Sequence, residues 1–352
     1  GDGGSGGLTQ GSAGAVYVTN SSFFNAGQNR LSVIDSTAAS PKVEFSLSLR
    51  SGDGGRPPQQ ASGALGVAVS PDGRRVYVAN YGSDSVSVID TSTTGALPGS
   101  LGTAGTAAGA AGTGGSGGSG AYTNKLVIGD PIPVGNGPYG VAVNPAGTRV
   151  YVTNYVSDSV TEINTATNQV IGDPIPVGVD PIGVAVDPTG TNVYVTNSTS
   201  DTVSSINTRT GNITSAPVGK RPIGVVAFGN FVFIANYFDG TVMRVSAGGS
   251  VNIPVGDSPW GVAVNVANTR VYVANLNDSS VSVINTANNN VTNISSPAGL
   301  VAPQWLAVNP AGTRVYVTSE RSGIVSVINT ANNAVTEIPI AGVAGGIAFS
   351  PL

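Results

Sequence analysis

One short pattern, an aliphatic residue followed by Tyr-Val-Thr/Ala-Asn, recurs seven times along this chain and leaves little choice of architecture. It stands at 16–20, 76–80, 150–154, 193–197, 232–236, 271–275 and 315–319, with a spacing of about forty residues where no insertion intervenes. The fifth copy departs from it as Phe233-Ile234-Ala235-Asn236, and the seventh ends in Ser319. A repeat of that period, with four short β segments in each copy, predicts propeller blades. The composition agrees. Hydrophobic residues make up 40% of the chain but aromatics only 6%, so the core must be built from Val, Ile, Ala and Leu, a strand-forming set.

Each copy opens on a strand of small apolar residues such as Gly140-Val141-Ala142-Val143. A turn such as Asn144-Pro145-Ala146-Gly147 follows, where proline presets φ and glycine accepts a positive φ. The Tyr-Val-Thr-Asn element is the second strand, Val86-Ser87-Val88-Ile89 exemplifies the third, and an Asx-Thr turn (Asp90-Thr91, Asn164-Thr165, Asn285-Thr286) leads to the fourth. The fourth strand carries Pro133, Pro176, Pro217, Pro254, Pro297 and Pro339. Proline donates nothing to a sheet ladder, so this strand must be the outer edge of the blade, and the first strand must line the central channel.

The chain starts inside a copy at its second strand, whereas Gly346-Ile347-Ala348-Phe349-Ser350-Pro351 is a first strand with no following partner. The expectation is an all-β, seven-bladed β-propeller of four-stranded antiparallel blades, a single domain over 1–352, closed by the C-terminal strand pairing into the N-terminal blade. Residues 1–13 read as a Gly-rich tail, 95–122 as a Gly/Ala/Ser-rich loop insertion in the second blade, and 50–62 as a second, irregular insertion.

The segments Val76-Tyr77-Val78-Ala79-Asn80 and Val150-Tyr151-Val152-Thr153-Asn154, preceded by Ser70-Pro71-Asp72-Gly73 and Asn144-Pro145-Ala146-Gly147, resemble the YVTN family of β-propeller repeats over nearly the whole chain. That resemblance implies a surface-layer or envelope protein, secreted or held at the cell surface. The runs Gly1-Asp2-Gly3-Gly4-Ser5-Gly6-Gly7 and 114–120 are similar to the Gly-rich sequence of mycobacterial PE-PGRS proteins, which implies a propeller carried behind a Gly-rich region on an actinobacterial surface.

The chain has no histidine and no cysteine. Ser-His-Asp triads, Cys-His pairs, His- or Cys-ligated metals and haem are excluded, and His-dependent lyase or lactonase mechanisms go with them. The expectation is therefore a non-enzyme with no cofactor and no metal. A net charge of -4, with 10% charged residues, offers no basic face for nucleic acid. No apolar run reaches the roughly 18 residues of a membrane span. Asp84, Asp158, Asp201, Asp239 and Asp278 recur after the second strands. They read either as Asx-type caps on their own loops or as carboxylates gathering a cation.

In a meander blade the loop before the first strand and the loop between second and third strands emerge on one face of the ring. Tyr139, Trp260 and Trp305 belong to the first set, and Phe23, Phe24, Tyr81, Tyr155, Tyr237 and Phe238 to the second. Trp260 is the centre of a Pro-x-Gly, and Trp305 takes the glycine's place in the next blade. Beside the strand-end asparagines these aromatics could bind a glycan, a peptide or an envelope protein, or they could simply pack over the seams between blades. A lactonase-like hydrolase or lyase working without histidine, and a structural surface-layer subunit that self-associates, are the competing readings.

Overall fold

The computed structural model describes residues 15–21, 30–36, 41–49, 63–91, 127–296, 299–319, 322–340 and 342–349. They form seven antiparallel sheets arranged as a seven-bladed propeller. Blade 4 shows the plan, with Pro181–Val186, Asn192–Asn197, Thr202–Asn207 and Ile213–Pro217 as its first to fourth strands from hub to rim. The first strands of successive blades pack against one another all round the ring, so they line the hub. Blade 1 is assembled from both ends of the chain: Val343–Phe349 is its first strand and pairs with Ala15–Ser21. The tail 1–13 and the insertions 95–122 and 50–62 lie outside the described residues.

The core is not one mass but seven apolar clusters, one at each seam between neighbouring blades. The motif tyrosine builds them. Tyr77 from blade 2 meets Val150, Val152 and Ile163 of blade 3, and Tyr316 of blade 7 meets Val16, Val18 and Ile34 of blade 1. A pleated strand sends alternate side chains to opposite faces, so each second strand feeds two seams at once.

Two contacts bring the hub strands close. In three seams the motif threonine donates across to the next blade's first strand: Thr19 to the carbonyl of Leu65 at 2.7 Å, Thr153 to that of Ile182 at 2.8 Å, and Thr196 to that of Ile223 at 2.6 Å. The first-strand glycine permits this approach. A Cβ built on Gly183 would lie 2.3 Å from the Ile223 carbonyl oxygen, closer than any side chain can come.

The rim prolines place five edges as expected: Pro133, Pro176, Pro217, Pro254 and Pro339 all sit in outermost strands, opposite the start of the third strand. Blade 6 corrects the sixth. There Ser295 occupies that register opposite Ser280, and Pro297 lies beyond the strand, outside the described residues. In blade 3 the outer strand is split into Gln169–Val170 and Ile175–Pro176, interrupted at Gly172, whose φ is 63°.

Candidate functional site

The loops that precede the first strand and those that follow the second are tied together in blades 2 to 6. The backbone N–H of Tyr155 donates to the carbonyl of Gly137 at 2.9 Å, Ser198 to Asp180 at 3.0 Å, and Tyr237 to Arg221 at 3.0 Å. Both sets therefore share one face of the ring, at the mouth of the hub.

The strand-end asparagines do not reach that face, which corrects the expectation that they flank the aromatics as ligand groups. Asn80, Asn154, Asn197, Asn236 and Asn275 are fully buried. Their Nδ2 groups donate to hydroxyls of the third strand, as Asn197 does to Thr202 and Ser204, both at 2.9 Å. The recurring aspartates are corrected in part. They do cap backbone N–H groups, but in the interblade loop and not in their own: Asp84 accepts from Gly137, Asp158 from Asp180, Asp201 from Arg221, Asp239 from Lys220 and Asp278 from Asp257. Among the described residues no three acidic side chains gather as they would around a cation.

The aromatics form a continuous arc across the mouth. Tyr81, Tyr139 and Tyr155 make a triangle with ring centres 6.2 to 6.4 Å apart. Tyr139 reaches Trp305 at 6.5 Å, Trp305 meets Trp260 at 6.5 Å, Trp260 meets Tyr237 at 5.6 Å, and Tyr237 meets Phe238 at 5.2 Å. These are the separations at which tilted and edge-to-face pairs attract. Tyr139 belongs to blade 3 and Trp305 to blade 7, which are not neighbours, so their contact bridges the mouth from side to side.

The rings combine packing with exposure: Tyr81, Tyr139, Tyr155, Tyr237, Trp260 and Trp305 are half-buried, while Phe238 is 67% exposed. The Trp260 indole N–H is shielded and has no acceptor among the described residues. Exposed Val156, Val179 and Val301 extend the apolar surface. Phe23 and Phe24 lie outside the described residues.

Trp305 reaches the mouth because it breaks the hub's rule. The register puts it where Gly261 stands in blade 6, and the hydroxyl of Thr318 bonds to Trp305's own backbone instead of crossing to blade 1.

Two polar residues of this face were not among the sequence candidates. Arg221 and Asp180 stand just before the first-strand proline, at the place held by Gly137 in blade 3, and all three adopt positive φ: 52°, 55° and 64°. For arginine this backbone costs on the order of 1–2 kcal/mol. Its guanidinium lies 5.1 Å from the Tyr237 ring centre and 5.2 Å from that of Phe238, two cation–π contacts. Asp180 accepts from the Thr199 hydroxyl at 2.5 Å. Burial raises the phenol pKa of both Tyr81 and Tyr155, and the Asp180 carboxylate raises them further. The signal was available: aligned on the proline, the preceding residues read Gly137, Asp180, Arg221, Ser258 and Ala302, and a charged residue where glycine serves best is an anomaly.

Elsewhere, a cleft of about 330 Å³ opens further out on the same face between Asn136, Ser157, Asp158 and Pro174. Another of about 350 Å³ lies on the opposite face between Asp72, Arg74, Arg75 and Asp90. Neither touches the aromatic arc.

No family model matches the chain, and no curated protein matches it in sequence. Solved structures do. A functionally unknown protein from Desulfotomaculum acetoxidans superposes with a TM-score of 0.69 at 16% identity, over 95% of this chain and 99% of its own. A protein from Bacteroides fragilis, provisionally described as a 6-phosphogluconolactonase, gives 0.68 at 14% over 99% of both chains. The virginiamycin B lyase of Staphylococcus aureus gives 0.62 at 14% over 80% of this chain and 85% of its own. At these identities the likeness is one of fold, and that shared fold is the seven-bladed β-propeller.

Proposed function

We propose that this chain is a recognition propeller that binds a segment of a partner protein through the aromatic mouth. The observation that carries the reading is the arc of seven rings from Tyr155 to Phe238, contributed by five blades and partly open to solvent. Rings that merely sealed a seam would each be matched to one neighbouring blade. A peptide fits this face better than a glycan. Sugar hydroxyls need a fringe of amide and hydroxyl partners, and the strand-end asparagines that would supply it are buried, with their Nδ2 groups given to third-strand hydroxyls. The repeated Tyr-Val-Thr-Asn motif and neutral polar composition support membership of the YVTN family and a place outside the cytoplasm, at the surface of the cell, where self-association would add to a scaffolding role. Fractionation of the host's envelope tests the location.

Both tryptophans of the protein stand in the arc, so intrinsic fluorescence reports binding directly. Trp260→Ala combined with Trp305→Ala should abolish capture of surface proteins from the same host while leaving far-ultraviolet circular dichroism unchanged. Undiminished capture by that variant overturns the reading.

A second reading, hydrolysis or elimination, is favoured by the likeness to lactonase-like and lyase propellers and by the grouping of Asp180, Tyr155 and Arg221 at the mouth. It predicts lactone hydrolysis that Asp180→Asn removes. Turnover that is absent from the unaltered protein as well counts against it.

A further inference from the structure

We infer that Arg221 is a carboxylate anchor, and that the segment recognised at the mouth is an apolar peptide bearing a free carboxylate beside its hydrophobic residues. This rests on the reading of the arc as a protein-binding face.

Arg221 is held firmly in its loop. Its backbone is fully engaged: the N–H donates to Asp201 at 2.8 Å and the carbonyl accepts from Tyr237. Its guanidinium rests over the rings of Tyr237 and Phe238 and makes no hydrogen bond or ion pair with any described residue. A cation–π contact uses the charge of the guanidinium and none of its N–H donors, and that fork of donors matches a carboxylate bidentately. The rings thus hold the group without using its donors.

None of the neighbouring charged groups forms an ion pair with it among the described residues. Lys220 is paired with Asp201 at 2.7 Å, Asp239 takes the backbone N–H of Lys220 at 2.8 Å, and Asp180 is served by the hydroxyl of Thr199. Glycine would suit the backbone at this place, as Gly137 shows in blade 3. Asp180, Ser258 and Ala302 hold the same place in other blades at positive φ, so the backbone does not call for arginine. The exposed Phe238 beside it and the rings of Trp260 and Trp305 beyond supply the apolar half of the site.

Arg221→Gly separates function from architecture, because the change relieves the left-handed backbone. A displayed library of short random peptides, panned on the whole chain, supplies the probes, and selected peptides are resynthesised with a free or an amidated C-terminus and with Glu replaced by Gln. The expected result is enrichment of peptides that combine aromatic or aliphatic residues with a carboxylate. Affinity should fall about tenfold or more when that carboxylate is neutralised. Arg221→Gly should show the same fall with no further loss on neutralising the peptide, and an unchanged or raised Tm. Sensitivity to amidation identifies a C-terminal carboxylate, and sensitivity to Gln an acidic side chain.

Peptides that need Trp260 but bind equally well to Arg221→Gly overturn the anchor and leave the aromatic face standing. If no enriched peptide depends on Trp260 and Trp305, both fall. A glycan array bound through the same tryptophans replaces the peptide with a sugar and overturns the anchor's partner.

Discussion

At the scale of single residues, the threonine of the repeated motif does more than its strand propensity suggests. Thr196 is fully buried, receives the N–H of Gly183 at 2.8 Å and passes its own hydrogen to Ile223 in the next blade at 2.6 Å. Thr196→Val keeps the shape and removes both bonds, leaving buried groups unpaired, so it should cost roughly 1–3 kcal/mol in denaturant unfolding. Blades 2, 5 and 6 carry Ala79, Ala235 and Ala274 at this place, and the residues across their seams are Tyr139, Trp260 and Gln304. Where the threonine is present, the residue opposite is aliphatic in Leu65, Ile182 and Ile223. The Thr/Ala alternation, legible in the sequence as a loose position, thus marks the two Pro-x-Gly elements whose aromatics enter the arc.

At the scale of the strand, the tyrosine of the second strand is an internal apolar wedge with a phenol that must stay neutral. Burial pushes Tyr17 up to about 12, and burial with the adjacent Glu162 carboxylate pushes Tyr151 up to about 12. A raised folded-state value means that the folded chain holds its proton while the unfolded chain, near 10, has lost it. Stability from these groups is complete below pH 10 and is lost as pH rises from about 10 toward 12. Thermal unfolding followed against pH should show Tm falling in that window. Tyr17→Phe with Tyr151→Phe should flatten the fall.

The same element separates what was readable from what was not. Rim prolines revealed the strand order, yet only register could show that Ser295 and not Pro297 stands at the edge of blade 6. The aspartates after the second strands were rightly suspected as caps. Their targets, 19 to 53 residues away, are set by which loops meet on the mouth face, across a seam for Gly137 with Asp84 and within blade 5 for Lys220 with Asp239.

At the scale of the whole molecule, the ring is held shut by one strand pairing that joins the ends of the chain, and each blade buries its faces only against neighbours. Removing 343–352 strips Ala344 and Ile347 from the seam between blades 7 and 1, and Ala348 from the seam between blades 1 and 2. That truncation should abolish a single cooperative thermal transition and expose the chain to limited proteolysis. A sharp transition at the original temperature would contradict closure by this strand.

Blade number, strand order and the split blade follow from the repeat alone, because each copy makes the same local choices of turn, proline and apolar alternation. The aromatic candidates were legible as well, since a meander dictates which loops share a face. Their assembly was not. Tyr139 and Trp305 meet only because the ring brings blade 3 opposite blade 7, and Arg221 gains meaning only when Tyr237 and Phe238, from another loop, lie beneath its guanidinium. Local pattern determines an element whose partners are its neighbours in the chain. A site whose members come from five blades is decided by closure of the ring, which the whole set of seams imposes together.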